Sequence, residues 1–154
     1  ARAIMAKANE SDCLIVLPTD AVCASEFKAN PDTVVVPVTA VPTVQMMLDV
    51  GPDSAASLAE LLSDYKTIVW NGPLGAFETP PFDAATNRVA QEAAALVKSG
   101  KLLAVAGGGD TVAALAHAGV VNDFTYVSTA GGAFLEWLEG RTLPGVAALE
   151  AAAA

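Results

Sequence analysis

The stretch Leu102-Leu103-Ala104-Val105-Ala106-Gly107-Gly108-Gly109-Asp110-Thr111 constrains this chain more than any other. Five apolar residues in a row read as a buried strand, and three glycines end it. Asp110 and Thr111 then open a helix through Val112, Leu115 and Ala116. Such a junction brings bare backbone N–H groups to the carboxyl edge of a sheet. The helix start adds unpaired N–H groups and a positive dipole end, so the whole is an anion site. Asp110 sets a carboxylate beside it, suited to a hard cation that travels with phosphates. Taken alone, the same residues also read as a tight turn with Asp110 as N-cap.

The rest of the chain alternates in the same way. Residues 2–9 read as the end of a helix, and Cys13–Leu17 as a short buried strand closed by Pro18. Thr33–Val36 is a second strand. Thr19–Pro31 between them is polar and irregular, with room for a short strand near Val22. Pro37 and Pro42 bracket a turn, and Val44–Leu48 reads as one helical turn. The loop Asp49–Ser54 ends in N-capping residues, and Leu58, Leu61, Leu62 and Tyr65 follow at the spacing of one helical face. Thr67–Trp70 is a strand that Asn71–Gly75 turns, and Phe77–Phe82 is a loop containing Pro80-Pro81. Asp83 can cap a long helix with a Val89, Ala93, Leu96, Val97 stripe, stopped by Ser99-Gly100. After the organising strand and its helix, Gly119 ends the helix and Thr125–Val127 forms another strand. Ser128–Gly132 turns into a helix over about 133–139, and Gly140–Gly145 breaks it. Glu150 and the four alanines after it carry no assigned role.

Strands alternating with helices indicate an α/β fold with a parallel sheet covered on both faces. Ligands of such sheets sit at the carboxyl ends of the strands. Three strand ends carry unusual residues: 70–78, 106–111 and 128–132.

Charge and residue usage exclude several functions. With 8 basic and 17 acidic residues, a formal charge of −9, the chain offers no clustered basic face for nucleic acid and none for an anionic membrane. No apolar run approaches the roughly 18 residues of a membrane span. The start Ala1-Arg2-Ala3-Ile4-Met5 lacks signal-peptide design. Cys13 and Cys23 have no close Cys or His partner and read as buried thiols of a reducing, cytoplasmic setting. His117 has no acid, Ser or Cys partner nearby in sequence and reads as an ordinary helix residue. Trp70 and Trp137 read as packing residues.

Known phosphate motifs fail against the glycines. No lysine follows at the Walker position, and Val112 stands where the dinucleotide fingerprint needs its third glycine. The failed fingerprint disfavours half of an NAD-dependent dehydrogenase. An unnamed glycine nest remains. Asn71–Glu78 is a second candidate, with Asn71 able to hydrogen-bond phosphate and Glu78 able to accept from paired ribose hydroxyls. It also reads as a plain turn with Glu78 solvated.

Together these stretches resemble one family. Trp70-Asn71-Gly72-Pro73-Leu74-Gly75-Ala76-Phe77-Glu78, Gly107-Gly108-Gly109-Asp110-Thr111, Ser128-Thr129-Ala130-Gly131-Gly132-Ala133, Leu138-Glu139-Gly140-Arg141 and Leu143-Pro144-Gly145-Val146 are similar, in order, to phosphoglycerate kinase. Leu17-Pro18-Thr19-Asp20 and Asp49-Val50-Gly51-Pro52 extend the match upstream.

The resemblance implies a two-domain glycolytic kinase that moves a phosphoryl group between 1,3-bisphosphoglycerate and MgADP. Residues 1–154 would be the latter part of its C-terminal, Rossmann-like nucleotide-binding domain, the N-terminal substrate domain being absent. Glu78 would hold the ribose, and Asn71 and Pro73 would line the ATP/ADP site. Asp110 would serve Mg²⁺, Thr111 would bond the phosphates, and Gly107 would belong to the same nucleotide loop. Gly108, Gly109, Gly131 and Gly132 would offer backbone N–H groups to the phosphoryl group in flight. Ala130, where the family usually has glycine, would slightly stiffen its loop. Without its partner domain and the phosphoglycerate site there, the chain is expected to be inactive alone, and the full-length protein a monomer. A non-catalytic nucleotide-binding module is the alternative from another class.

Overall fold

The computed structural model describes residues 1–153; the last alanine of the tail lies outside them. Among the described residues are six α-helices and six strands, and the strands form two small sheets. Helix α1 (Arg2–Glu10) leads into an exposed stretch, then β1 (Asp20–Ala24), β2 (Thr33–Pro37) and β3 (Met46–Val50). Helix α2 (Pro52–Leu61), β4 (Thr67–Trp70) and the long α3 (Ala84–Lys98) follow. The chain continues with β5 (Leu103–Gly107), α4 (Gly109–His117), β6 (Tyr126–Ser128), α5 (Gly131–Leu138) and α6 (Pro144–Ala153).

Strands β4, β5 and β6 form the expected parallel sheet in that order, with Val69 opposite Val105 and Val105 opposite Tyr126. Its core face carries Trp70, Ala104 and Ala106 against Val89, Ala90, Ala93 and Leu115. Phe124 meets the Trp70 ring edge-on, centroids 6.0 Å apart. Buried alanines on α2 (Ala55, Ala59) and α3 suit close helix packing, because a methyl group fills little space between backbones. On the opposite face, Phe134 of α5 reaches Gly107, where an added Cβ would lie 3.0 Å from the ring. The remainder stays open: Val69 is 47%, Leu103 45% and Tyr126 60% exposed.

The first three strands depart from the reading above. They form a separate antiparallel sheet, β2-β1-β3, with a bulge between Val22 and Cys23. The strand near Val22 is its buried centre, and Met46–Val50 is a strand that replaces most of the helical turn expected over Val44–Leu48, because it pairs with β1. Pro37 closes the edge strand β2, where a missing N–H costs no ladder bond. Cys13–Leu17, expected as a buried strand, is instead an exposed stretch without strand pairing, and Cys13 is exposed. Apolar character alone does not make a strand: its N–H and C=O groups need a neighbour, and no described strand pairs with this one. Trp137, read as a packing residue, packs its ring on Phe134 but is 60% exposed and lies outside the core.

Helix α2 starts with Pro52, whose fixed φ suits the first turn, behind the extended Gly51. Its cap comes from far away in sequence. The buried Asp20 carboxylate accepts from Asp53 N at 3.1 Å, Ser54 N at 2.9 Å and the Ser54 hydroxyl. Burial works against the Asp20 charge, but these donors outweigh it and hold the carboxyl below its usual range.

Candidate functional site

At the end of β5 the chain enters Gly108, whose φ of +106° is one that glycine adopts without strain. Gly108 N donates to Ser128 O at 3.1 Å, so the loops after β5 and β6 are joined by main chain. They approach so closely that a Cβ on Gly131 would lie 2.5 Å from Gly108 Cα and 2.8 Å from its nitrogen. The first helical bond of α4 is Val112 N to Gly108 O, and that of α5 is Phe134 N to Ala130 O. No side chain caps either N-terminus. Two sets of unpaired N–H groups and two positive dipole ends therefore lie side by side. Gly109 and Gly132 have open space where a side chain would be.

Asp110, exposed in the first turn of α4, lines a cavity of about 220 Å³ together with Pro73, Gly75, Ala76, Phe77, Glu78 and Thr79. Pro73, Glu78 and Asp110, three of the expected site residues, thus meet at one cavity. Thr111 is placed differently: it is 2% exposed, with its hydroxyl beneath Gly108. Asn71 is exposed at the end of β4 and lines a neighbouring apolar groove with Trp70, Gly72 and Leu74.

The wall from Asn71 to Glu78 is held from below. Trp70 Nε1 donates to Gly72 O at 2.6 Å, and Leu74 N donates to the buried Thr86 hydroxyl at 3.0 Å. Ala76 N donates to Leu48 O at 2.8 Å. Gly75 sits directly on the Asp49 carboxylate, which leaves no room for a Cβ. Asp49 is 4% exposed; its Oδ1 accepts from Val50 N at 2.9 Å and its Oδ2 from Ala85 N at 3.0 Å. Burial pushes its carboxyl up to about 6, against those two donors and with the help of the nearby Asp83 charge.

Asp83 does not cap α3 with its side chain. It accepts from His117 at 2.8 Å and from Asn87 Nδ2 at 2.8 Å. Burial opposes the Asp83 charge, yet donation from His117, its own backbone and Asn87 holds the carboxyl below its usual range. His117 therefore has an acid partner, 34 residues away in sequence.

Phe27, exposed in the loop after β1, also lines the cavity. The run Ala-Ser-Glu-Phe-Lys around it carries no periodicity or motif that announces such a role. Asp49 belongs to the run Asp-Val-Gly-Pro, but its burial depends on Gly75 and Ala85.

Two carboxylates facing one cavity suit hydroxyl donors and a cation. Among the described residues no group of three or more His, Cys, Asp or Glu is placed to hold a metal by itself. The single Asp110 carboxylate beside an anion site fits magnesium, which keeps its waters and binds through one or two carboxylates plus phosphate.

The family model for phosphoglycerate kinase matches residues 1–141. The phosphoglycerate kinase of Zymomonas mobilis is 62% identical over 150 residues, covering 97% of this chain and 38% of that protein. That of Methylobacterium radiotolerans is 64% identical over 148 residues, covering 96% and 37%. Among solved structures, phosphoglycerate kinase from Coxiella burnetii superposes with a TM-score of 0.83 at 40% identity, over 91% of this chain and 35% of that one. The Pyrococcus horikoshii enzyme gives 0.77 at 26% identity, over 97% and 36%. The chain thus spans little more than a third of the length of these relatives.

Proposed function

The chain belongs to the phosphoglycerate kinase family, and from that premise we propose that it carries the MgADP/MgATP side of a glycolytic phosphotransferase site. The cavity joining Pro73, Glu78 and Asp110 beside two uncapped helix N-termini is the observation that carries this reading. Glu78 accepts hydrogen bonds from the paired ribose hydroxyls, while Pro73 and Phe27 supply apolar walls. Asn71, exposed at the end of β4, bonds phosphate, and Thr111 supports the phosphate loop with Gly107.

In the forward reaction the bond between phosphorus and the carboxyl oxygen of 1,3-bisphosphoglycerate breaks. A bond to a terminal oxygen of ADP forms, leaving 3-phosphoglycerate and ATP. Phosphoryl transfer needs chiefly positioning and charge stabilisation. The N–H groups of Gly109, Gly131 and Gly132 supply both, by hydrogen-bonding the oxygens of the moving phosphoryl group, while Gly108, whose N–H is engaged by Ser128 O, shapes the loop and does not donate as the resemblance implied. Asp110 would hold magnesium, which would supply positive charge to the phosphates. The phosphoglycerate is held by the family's N-terminal domain, so the chain alone binds nucleotide without turnover; the full-length protein is a cytoplasmic monomer. No described helix is long and apolar enough to cross a membrane.

Calorimetric titration with ADP tests this reading. Binding should strengthen with Mg²⁺, and Asp110→Ala should remove that strengthening, a loss of roughly tenfold or more for one charged contact to a metal-bound phosphate. Absence of ADP binding by the folded chain overturns the nucleotide assignment. Turnover by the chain alone overturns the assignment of phosphoglycerate binding to another domain. A non-catalytic nucleotide module would bind ADP equally well, yet give no activity when the complementary part of a relative is added.

A further inference from the structure

Helix α4 carries Asp110 at one end and His117 at the other, about 10 Å apart at the α-helical rise per residue. The segment that holds Glu78 leads to Asp83 and touches His117 twice. The Phe77 ring meets the imidazole edge-on, with centroids 6.3 Å apart and planes at 70°. Six residues later, Asp83 Oδ2 lies 2.8 Å from His117 Nε2. An ionised carboxylate only accepts, so Nε2 carries the hydrogen in this pair. The same Oδ2 accepts from Asn87 Nδ2, which ties the contact to α3. Phe77 is buried and Asp83 is half-buried, so both anchors rest against packed structure.

We propose that His117 is a positioning residue for the nucleotide cavity: by pinning Phe77 and Asp83 to α4, it fixes Glu78 on the loop relative to Asp110 on the helix. The proposal rests on the nucleotide reading above. Without the pin, the stretch around Glu78 loses its two contacts with α4, and the separation of the two carboxylates is less tightly fixed. His117 touches no substrate in this arrangement. Its side chain is 42% exposed, so its effect is that of an exposed charged hydrogen bond plus one aromatic contact.

Two readouts on the 154-residue chain test it. In His117→Ala, amide exchange at Phe77 and Thr79, whose N–H groups bond Gly75 O and Ala76 O, should speed up roughly fivefold while β1 amides keep their rates, a size set by one exposed hydrogen bond to a carboxylate. The ADP dissociation constant should rise by about the same factor, while the ratio of affinities with and without Mg²⁺ stays constant because Asp110 is untouched. His117→Gln, whose amide can donate to Asp83, should restore most of both. If His117→Ala does not fold, His117→Phe is read instead, since it keeps the ring and removes the donor. Unchanged exchange at Phe77 and Thr79 overturns the pin. Faster exchange with unchanged ADP affinity overturns its role in positioning. If the unmodified chain binds no ADP, the nucleotide reading falls, and the exchange rates still decide whether the pin exists.

Discussion

Residues distant in the chain set how the buried Asp49 carboxylate titrates. It belongs to the legible run Asp-Val-Gly-Pro, yet its environment is built by Gly75 and Ala85. Its carboxyl is raised from 3.8 to about 6, so between those values the folded chain holds a proton that the unfolded chain releases. That contribution to stability is fully present below about pH 4 and is lost as pH rises to about 6, with a ceiling of about 3 kcal/mol from the size of the shift. Asp49→Asn should therefore abolish this fall. The difference in urea midpoint between the two proteins should change from pH 4 to 6 and be flat above. Asp20 and Asp83, held low, act in a separate window: their stabilisation is present above their ordinary values and disappears in stronger acid. His117 and Phe27 teach the same lesson. Their partners lie tens of residues away, and no local spacing announces them.

At the scale of elements, the strand–glycine–helix units were legible and the antiparallel sheet was not. Strands β4 and β5 and helix α3 carry apolar runs or stripes between clear breakers, so local pattern and tertiary demand agree. Strand β1, Asp-Ala-Val-Cys-Ala, has one β-branched residue and becomes a strand because it lies between two others. Cys13–Leu17 is the reverse, strand-like in composition and unpaired in the fold. For the site, the glycines and the wall 71–78 were readable because their chemistry is local. The fit between the two loops was not. It yields a direct test: Gly131→Ala drives a methyl group into the Gly108 backbone and should cost more than about 2 kcal/mol of stability, as overpacking against immovable atoms does. Gly132→Ala, one residue on and facing open space, should stay within roughly 0.5 kcal/mol. Thermal unfolding of the two variants separates them.

For the whole molecule, the open face of the parallel sheet sets solution behaviour. Val69, Leu103 and Tyr126 present an apolar surface of the kind that parallel sheets usually bury. The formal charge of −9 keeps copies apart at neutral pH. Sedimentation velocity should show self-association as acid neutralises the carboxylates, and Tyr126→Lys with Val69→Lys should shift its onset to lower pH. An unchanged onset would place the contact elsewhere. The touching backbones of Gly108 and Gly131 reach further, into how such a protein can change over generations. Where two side chains meet, a mutation that enlarges one can be rescued by another that shrinks its neighbour. Here Gly108 has no side chain to shrink, so a lineage that gains a side chain at Gly131 has no compensating change available at Gly108.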